Sequence, residues 1–235
     1  NDVFIREGNP ADEISRLALM QETDMVITNT HGRSGFKRLL IGSVTEKLMK
    51  TLHCPLLALH SPDHAPESRT DSELKLKKIL VGCDFSPDSK LAIDYGLNLA
   101  QAFHGDLYLA HVIKPSFAKT TLPKSKELRD RLEGKLNDMV PESRREGCTA
   151  QTAVLDGEPY IALMEYAQEQ GIDIIVLGIR GHTLWEKLLV GSTTDRLIRQ
   201  ASFPVLAVRY ISGPMIDVRE DQSSLQGVKR RKSGA

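Results

Sequence analysis

The chain has no excess of either charge. Its 31 basic and 31 acidic side chains cancel over 235 residues, which leaves no global positive field to hold a nucleic acid. Long apolar runs are absent too: none exceeds five residues, where a membrane-spanning helix needs about 20. Residues Asn1 to Pro10 lack the basic start and apolar core of a secretory signal, and no initiator Met is present, so the chain reads as processed, tagged or a fragment. The three cysteines, Cys54, Cys83 and Cys148, are far apart and lack the C-x2-C spacing of a zinc or redox pair; reduced, mostly buried thiols are expected. Together these features point to a soluble cytoplasmic protein that meets neither nucleic acid nor membrane.

Several catalytic signatures are missing as well. No G-x4-G-K-[S/T] loop, no G-x-G-x-x-G after a strand and no G-x-S-x-G elbow occurs. His31, His53, His60 and His64 show no metal-ligand spacing. No catalytic base can be nominated.

An internal repeat is present. An offset of 149 residues aligns positions 3–59 with 152–208 without a gap and gives 15 identities in 57 pairs. Gly8 falls on Gly157, Pro10 on Pro159, Asp24 on Asp173, Gly32 on Gly181, Gly42 on Gly191, Ser43 on Ser192, Thr45 on Thr194 and Pro55 on Pro204.

The second copy is preceded by more sequence than the first. Lys77 to Asp84 is a short apolar run ending in an acid, and Ser86-Pro87 is a strong helix start, a hydroxyl cap followed by proline at the first helical position. Strands are expected at Leu107–Val112, Thr152–Leu155, Ile174–Leu177 and Val205–Val208. Helices are expected from Pro87, over Lys124–Arg145, over Pro159–Gln170 and over Thr193–Gln200. Continuously apolar strands alternating with helices belong to a parallel sheet covered on both faces. The expected fold is therefore α/β and doubly wound.

The first copy supplies only the last half of such a unit. Strands are expected at Val3–Arg6, Met25–Thr28 and Leu56–Leu59, with helices from Pro10 and from Val44. The organisation that follows is a half domain over 1–60, a linker over 61–76, a complete domain over 77–210 and a disordered tail over 211–235 that holds Lys229-Arg230-Arg231-Lys232.

In an open parallel sheet, ligands collect beyond the carboxyl ends of the strands. There the chain reads Gly178-Ile179-Arg180-Gly181, nine more residues, then Gly191-Ser192-Thr193-Thr194 opening the last helix. Glycines allow close backbone approach to a ligand. A helix N-terminus offers unpaired amides and hydroxyls to an anion. The same residues also suit a plain loop followed by a helix cap. Arg180 and His182 are read as exposed loop residues, with pairing to phosphate as the alternative, and Trp185 as packing against a partner rather than stacking on a base.

The pattern G-x2-G-x9-G-[S/T], with Thr30-His31-Gly32-Arg33-Ser34-Gly35 and Leu39-Leu40-Ile41-Gly42-Ser43-Val44 in the first copy, resembles the ATP-binding branch of the universal stress protein family, in its tandem form. The resemblance implies a five-stranded sheet of order 3-2-1-4-5, adenine-nucleotide alpha-hydrolase-like, and a cofactor that is ATP or another adenine nucleotide, with Mg2+ left open. It places Asp84 beside the ribose or adenine, Val112 against the base, Leu177 and Gly178 beside the adenosine, and Gly181, Gly191, Ser192, Thr193 and Thr194 around the phosphates. Asp84 as a loop cap and Val112 as ordinary core stay open beside this. In the first copy Asn29 stands where the second has Gly178, and no Asp84 equivalent exists.

The function implied is a regulatory nucleotide binder without efficient catalysis. The alternatives are a slow ATPase or autophosphorylating enzyme, with Ser192 or Thr194 as acceptor, and a dimeric scaffold that binds no nucleotide. The half domain cannot close its own sheet. It is expected to borrow strands, swap between chains or belong to a longer parent, and pairing through the last strands is expected within the chain or in a homodimer.

Overall fold

The computed structural model describes residues 2–30, 42–59, 76–115, 122–180 and 190–209. Gly32, His31, Gly181, His182, Trp185, the expected linker up to residue 75 and the expected tail from residue 211 lie outside the described residues.

The N-terminal segment forms α1 (Pro10–Met20), β1 (Val26–Asn29), α2 (Ser43–Thr51) and β2 (Leu56–Leu59). Then come β3 (Lys78–Gly82), α3 (Pro87–Phe103), β4 (Asp106–Ile113), α4 (Leu122–Met139), β5 (Thr149–Asp156), α5 (Pro159–Gln170), β6 (Ile174–Gly178), α6 (Ser192–Gln200) and β7 (Val205–Val208).

Local chemistry accounts for the helix starts. The Asn9 side chain accepts hydrogen bonds from the amides of Ala11 (3.2 Å) and Asp12 (3.4 Å), with Pro10 in the first turn. Ser86 does the same for α3, accepting from the amide of Ser89 at 3.2 Å ahead of Pro87. Gly171 closes α5 in the left-handed region at φ 64°. Pro141 stops α4: the helix expected to reach Arg145 ends at Met139, and Glu142–Arg144 makes one 3-10 turn instead.

All seven strands join one sheet of order β1-β2-β7-β6-β3-β4-β5. Every neighbouring pair is parallel except β2 and β7. The expected five-stranded sheet is thus embedded in a larger one, because the apolar β2, already paired with β1 on one edge, satisfies its other edge along β7. In that junction Leu57 faces Leu206, Leu56 faces Ala207 and Ala58 faces Val205. Leu57 and Leu206 are equivalent positions of the repeat, so the register is its own mirror under the 149-residue offset. A local two-fold axis passes between them.

Val3–Arg6, by contrast, forms no strand. β1 is the outermost strand, and the position expected for Val3–Arg6 lies beyond neighbours that would have to come between. Val3 and Ile5 remain 68% and 75% exposed.

Side chains alternate across the sheet and build two cores. Leu56, Leu80, Ala110, Ile175, Leu177 and Val205 pack against α1, α2, α5 and α6. Ile79, Val81, Leu109, Val176 and Leu206 pack on the other face, under α3 and α4. Each fully buried Leu, Ile or Val there contributes about 1.5–3 kcal/mol. Among the described residues, no helix is long and apolar enough to cross a membrane.

Candidate functional site

Helices α3 and α6 leave adjacent strands, β3 and β6, and cover opposite faces of the sheet. A crevice opens between them at the strands' carboxyl ends, which is the place where such sheets take ligands. The cavity there measures about 850 Å³, within the roughly 300–1,000 Å³ range of small-molecule pockets. Asp84, Val112, Leu177, Gly178, Gly191, Ser192, Thr193 and Thr194 all line it. Gly181 is the one expected site residue that lies outside the described residues.

One end of the cavity is the start of α6. Gly191 precedes the helix with no side chain to cap it. The first intrahelical bond runs from the Asp195 amide to the Gly191 carbonyl at 2.9 Å. The amides of Ser192, Thr193 and Thr194 occupy the first helical positions, which have no carbonyl within the helix to bond. Leu128, Leu132 and Leu163 form an apolar wall elsewhere in the cavity together with Val112 and Leu177.

A backbone frame fixes this arrangement. The Thr194 hydroxyl donates to the Gly178 carbonyl at 2.7 Å, and the Gly191 amide donates to the Ile179 carbonyl at 2.7 Å. In that geometry the Thr194 proton is committed to Gly178. The Thr194 hydroxyl, expected to hold phosphate, therefore positions α6, and its own donor does not reach a ligand. Gly178 has a packing reason of its own. A Cβ there would stand 2.7 Å from the Asp88 carbonyl carbon and 2.9 Å from the Ser89 nitrogen.

Asp84 acts as a loop cap: its Oδ1 accepts from the Ser86 amide at 3.0 Å. Between them Phe85 takes φ 64°, a conformation that costs about 1–3 kcal/mol for a non-glycine residue. The Phe85 ring lies 4.8 Å from that of His111, whose Nδ1 donates to the Cys83 carbonyl at 2.7 Å. Burial pushes the Cys83 thiol up, so it is a poor nucleophile. Among the described residues, no three His, Cys, Asp or Glu side chains gather as metal ligands.

The same frame recurs in the N-terminal segment. The Gly42 amide donates to the Thr30 carbonyl at 3.1 Å, and the Thr45 hydroxyl donates to the Asn29 carbonyl at 3.4 Å. Gly8 and Gly157 both hold positive φ, 139° and 129°, in the equivalent turns.

The model of the universal stress protein family matches residues 1–60 and 75–209. The chain belongs to the universal stress protein family. Universal stress protein MJ0531 of Methanocaldococcus jannaschii is 32% identical over 139 residues, 57% of this chain and 82% of that relative. A universal stress protein of Mycolicibacterium smegmatis is 26% identical over 198 residues, covering 80% of this chain and 63% of its own length. Among solved structures, a universal stress protein from Archaeoglobus fulgidus aligns with a TM-score of 0.61 at 24% identity, over 86% of this chain and 67% of that one. That likeness concerns the fold.

One part of this universal stress protein's site was invisible in the sequence. Asp88, 3% exposed, accepts from the Arg180 backbone amide at 2.9 Å and from its guanidinium Nε and Nη2 at 3.2 Å each. Arg180, expected as an exposed loop residue, is thus drawn into an ion pair that pins the loop after β6 to the start of α3. The Ser86 hydroxyl adds a bond to the Arg180 carbonyl at 3.3 Å. The partners stand 92 positions apart, and no local pattern links them.

Proposed function

We propose that this universal stress protein is of the tandem type and binds ATP or another adenine nucleotide in the α3/α6 cavity, with regulation rather than turnover as the outcome. The observation that carries the reading is the uncapped start of α6 at the mouth of a cavity with an apolar wall. The residues present fit the group. The amides of Ser192 and Thr193 and the approach past Gly191 would hold phosphate, with Gly181 as a further contributor; Val112 and Leu177 would take the base, and Asp84 the ribose or adenine, with Gly178 beside the adenosine. Thr194 would keep the frame.

The magnitudes agree. Micromolar binding needs about 8 kcal/mol, whereas a helix dipole offers only about 0.3–2 kcal/mol. Hydrogen bonds to a charged group contribute about 1.5–3 kcal/mol each, so two or three amides plus an apolar seat for the base reach the requirement.

No residue is assigned to catalysis. Occupancy would act through stability: a ligand at 100 times its dissociation constant adds about 2.7 kcal/mol to the folded state. Mg2+ accompanying the phosphates, a cytoplasmic location and pairing of the two halves through their last strands within one chain, in place of a homodimer, are parts of the same proposal. The recurrence of the Gly42 and Gly191 frames supports the tandem assignment.

Nucleotide content of the denatured purified protein and melting curves with ATP, ADP and AMP test the reading. At about 2–4 °C per kcal/mol for a domain of this size, saturating nucleotide should raise the melting temperature by roughly 5–11 °C. Absence of a shift with all three nucleotides overturns it. Phosphate release that is lost in Ser192→Ala would replace the binder with an enzyme.

A further inference from the structure

The cavity does not end with the C-terminal repeat. Glu46 and Lys50, both on α2 of the N-terminal repeat, line it together with Arg199 of α6. The antiparallel β2–β7 junction places them there, because it brings α2 beside α6. Under the 149-residue offset, Glu46 is the equivalent of Asp195, and Lys50 of Arg199.

Lys114 and Arg180 also line the cavity, and the two cations at the α2–α6 edge, Lys50 and Arg199, are unequally held. Arg199 bonds both carboxylate oxygens of Asp195 at 2.9 Å and reaches Glu46 at 3.5 Å. Lys50 donates to the same Glu46 at 2.9 Å, and its side chain is 41% exposed. Its backbone is anchored, since the Arg209 guanidinium donates to the Lys50 carbonyl at 2.9 Å and also to the Met49 carbonyl. An anchored backbone with a partly exposed ammonium can trade one carboxylate for another anion without moving the helix. An ammonium is also the right kind of group for this, a compact point charge with rotatable donors.

The amides at the start of α6 form one anion-binding position. A chain of two or three phosphates carries more negative charge than those amides meet, and Lys50 lines the same cavity. We propose that Lys50 is the cation that meets those outer phosphates, so that the N-terminal repeat completes the site of the C-terminal one and favours nucleoside tri- and diphosphates over monophosphates. This rests on the nucleotide reading above. Glu46 holds the ammonium in reserve and opposes the incoming anion.

Calorimetric titration of the full chain with ATP and with AMP tests it, in the wild type and in the variants Lys50→Gln, Glu46→Gln and Lys50→Arg. Lys50→Gln should weaken ATP binding about fivefold, the upper range for a partly exposed ion pair, and leave AMP binding unchanged. Glu46→Gln should tighten ATP binding, and Lys50→Arg should restore most of the wild-type ATP affinity. A purely structural role for the pair would move both glutamine variants the same way and would treat ATP and AMP alike; either result overturns the proposal, as does unchanged ATP affinity in Lys50→Gln. A wild type that binds neither nucleotide removes the nucleotide reading itself, and this inference with it.

Discussion

Gly178→Ala isolates the tightest contact in the site. The new Cβ would lie 2.7 Å from both the carbonyl carbon and the Cβ of Asp88, and 2.9 Å from the Ser89 nitrogen. Those neighbours belong largely to the backbone of α3, which cannot rotate away as a side chain can. Ala92, Ile93 and Leu97 hold the helix against the sheet, each 2% exposed or less. Overpacking of this kind costs about 1–3 kcal/mol. At about 2–4 °C per kcal/mol, the melting temperature should fall by roughly 2–12 °C. Gly134→Ala in α4 is the control. Nothing stands within 4 Å of its Cβ position, and alanine gains about 0.5–1 kcal/mol over glycine in a helix interior. Thermal and urea unfolding followed by circular dichroism would read both. A Gly178→Ala protein as stable as the wild type would refute the argument that packing, rather than ligand approach, requires glycine there.

Three further outcomes follow from the same frame. Thr194→Val removes a 2.7 Å bond to a backbone carbonyl and should cost about 1–3 kcal/mol; Thr45→Val, whose bond is 3.4 Å, should cost less in the same urea titration. Asp88→Ala removes the carboxylate that accepts three bonds from Arg180 and should destabilise by about 3–5 kcal/mol, whereas the Asp88→Ala/Arg180→Ala pair should recover part of that loss in a double-mutant cycle. Glu46 sits below the ordinary carboxylate range because Lys50 donates to it and because the charges of Lys50 and Arg199 favour its ionised form. A depressed folded-state value contributes stability above the unfolded-state value and loses it as pH falls through the folded one, so the α2–α6 contact should weaken below about pH 4. Glu46→Gln should flatten that part of the pH–stability curve, and an unchanged slope would count against it.

The sequence carried those features that are set locally or by repetition. α5 spans Pro159–Gln170 as its proline start and spacing require, and β7 spans Val205–Val208 as its apolar run requires. The Gly191-Ser192 start of α6 stood out because the repeat shows it twice. What escaped depends on partners remote in the chain. Val3–Arg6 has strand-like residues and no strand beside it, so propensity alone misled. Asp88 and Arg180 meet only because β6 returns to lie beside β3. Lys50 reaches the cavity through a junction whose direction no residue of α2 encodes.

The self-mirroring register of β2 and β7 has a consequence for how the molecule behaves on dilution. Two separate chains meeting through such strands would obey mass action and part at low concentration. Here both halves share one polypeptide, so the encounter is intramolecular at an effective concentration on the order of millimolar. Covalent tethering also frees each half from having to match itself. One side carries Asn29 where the other carries Gly178, a difference that a pair of identical subunits can never have.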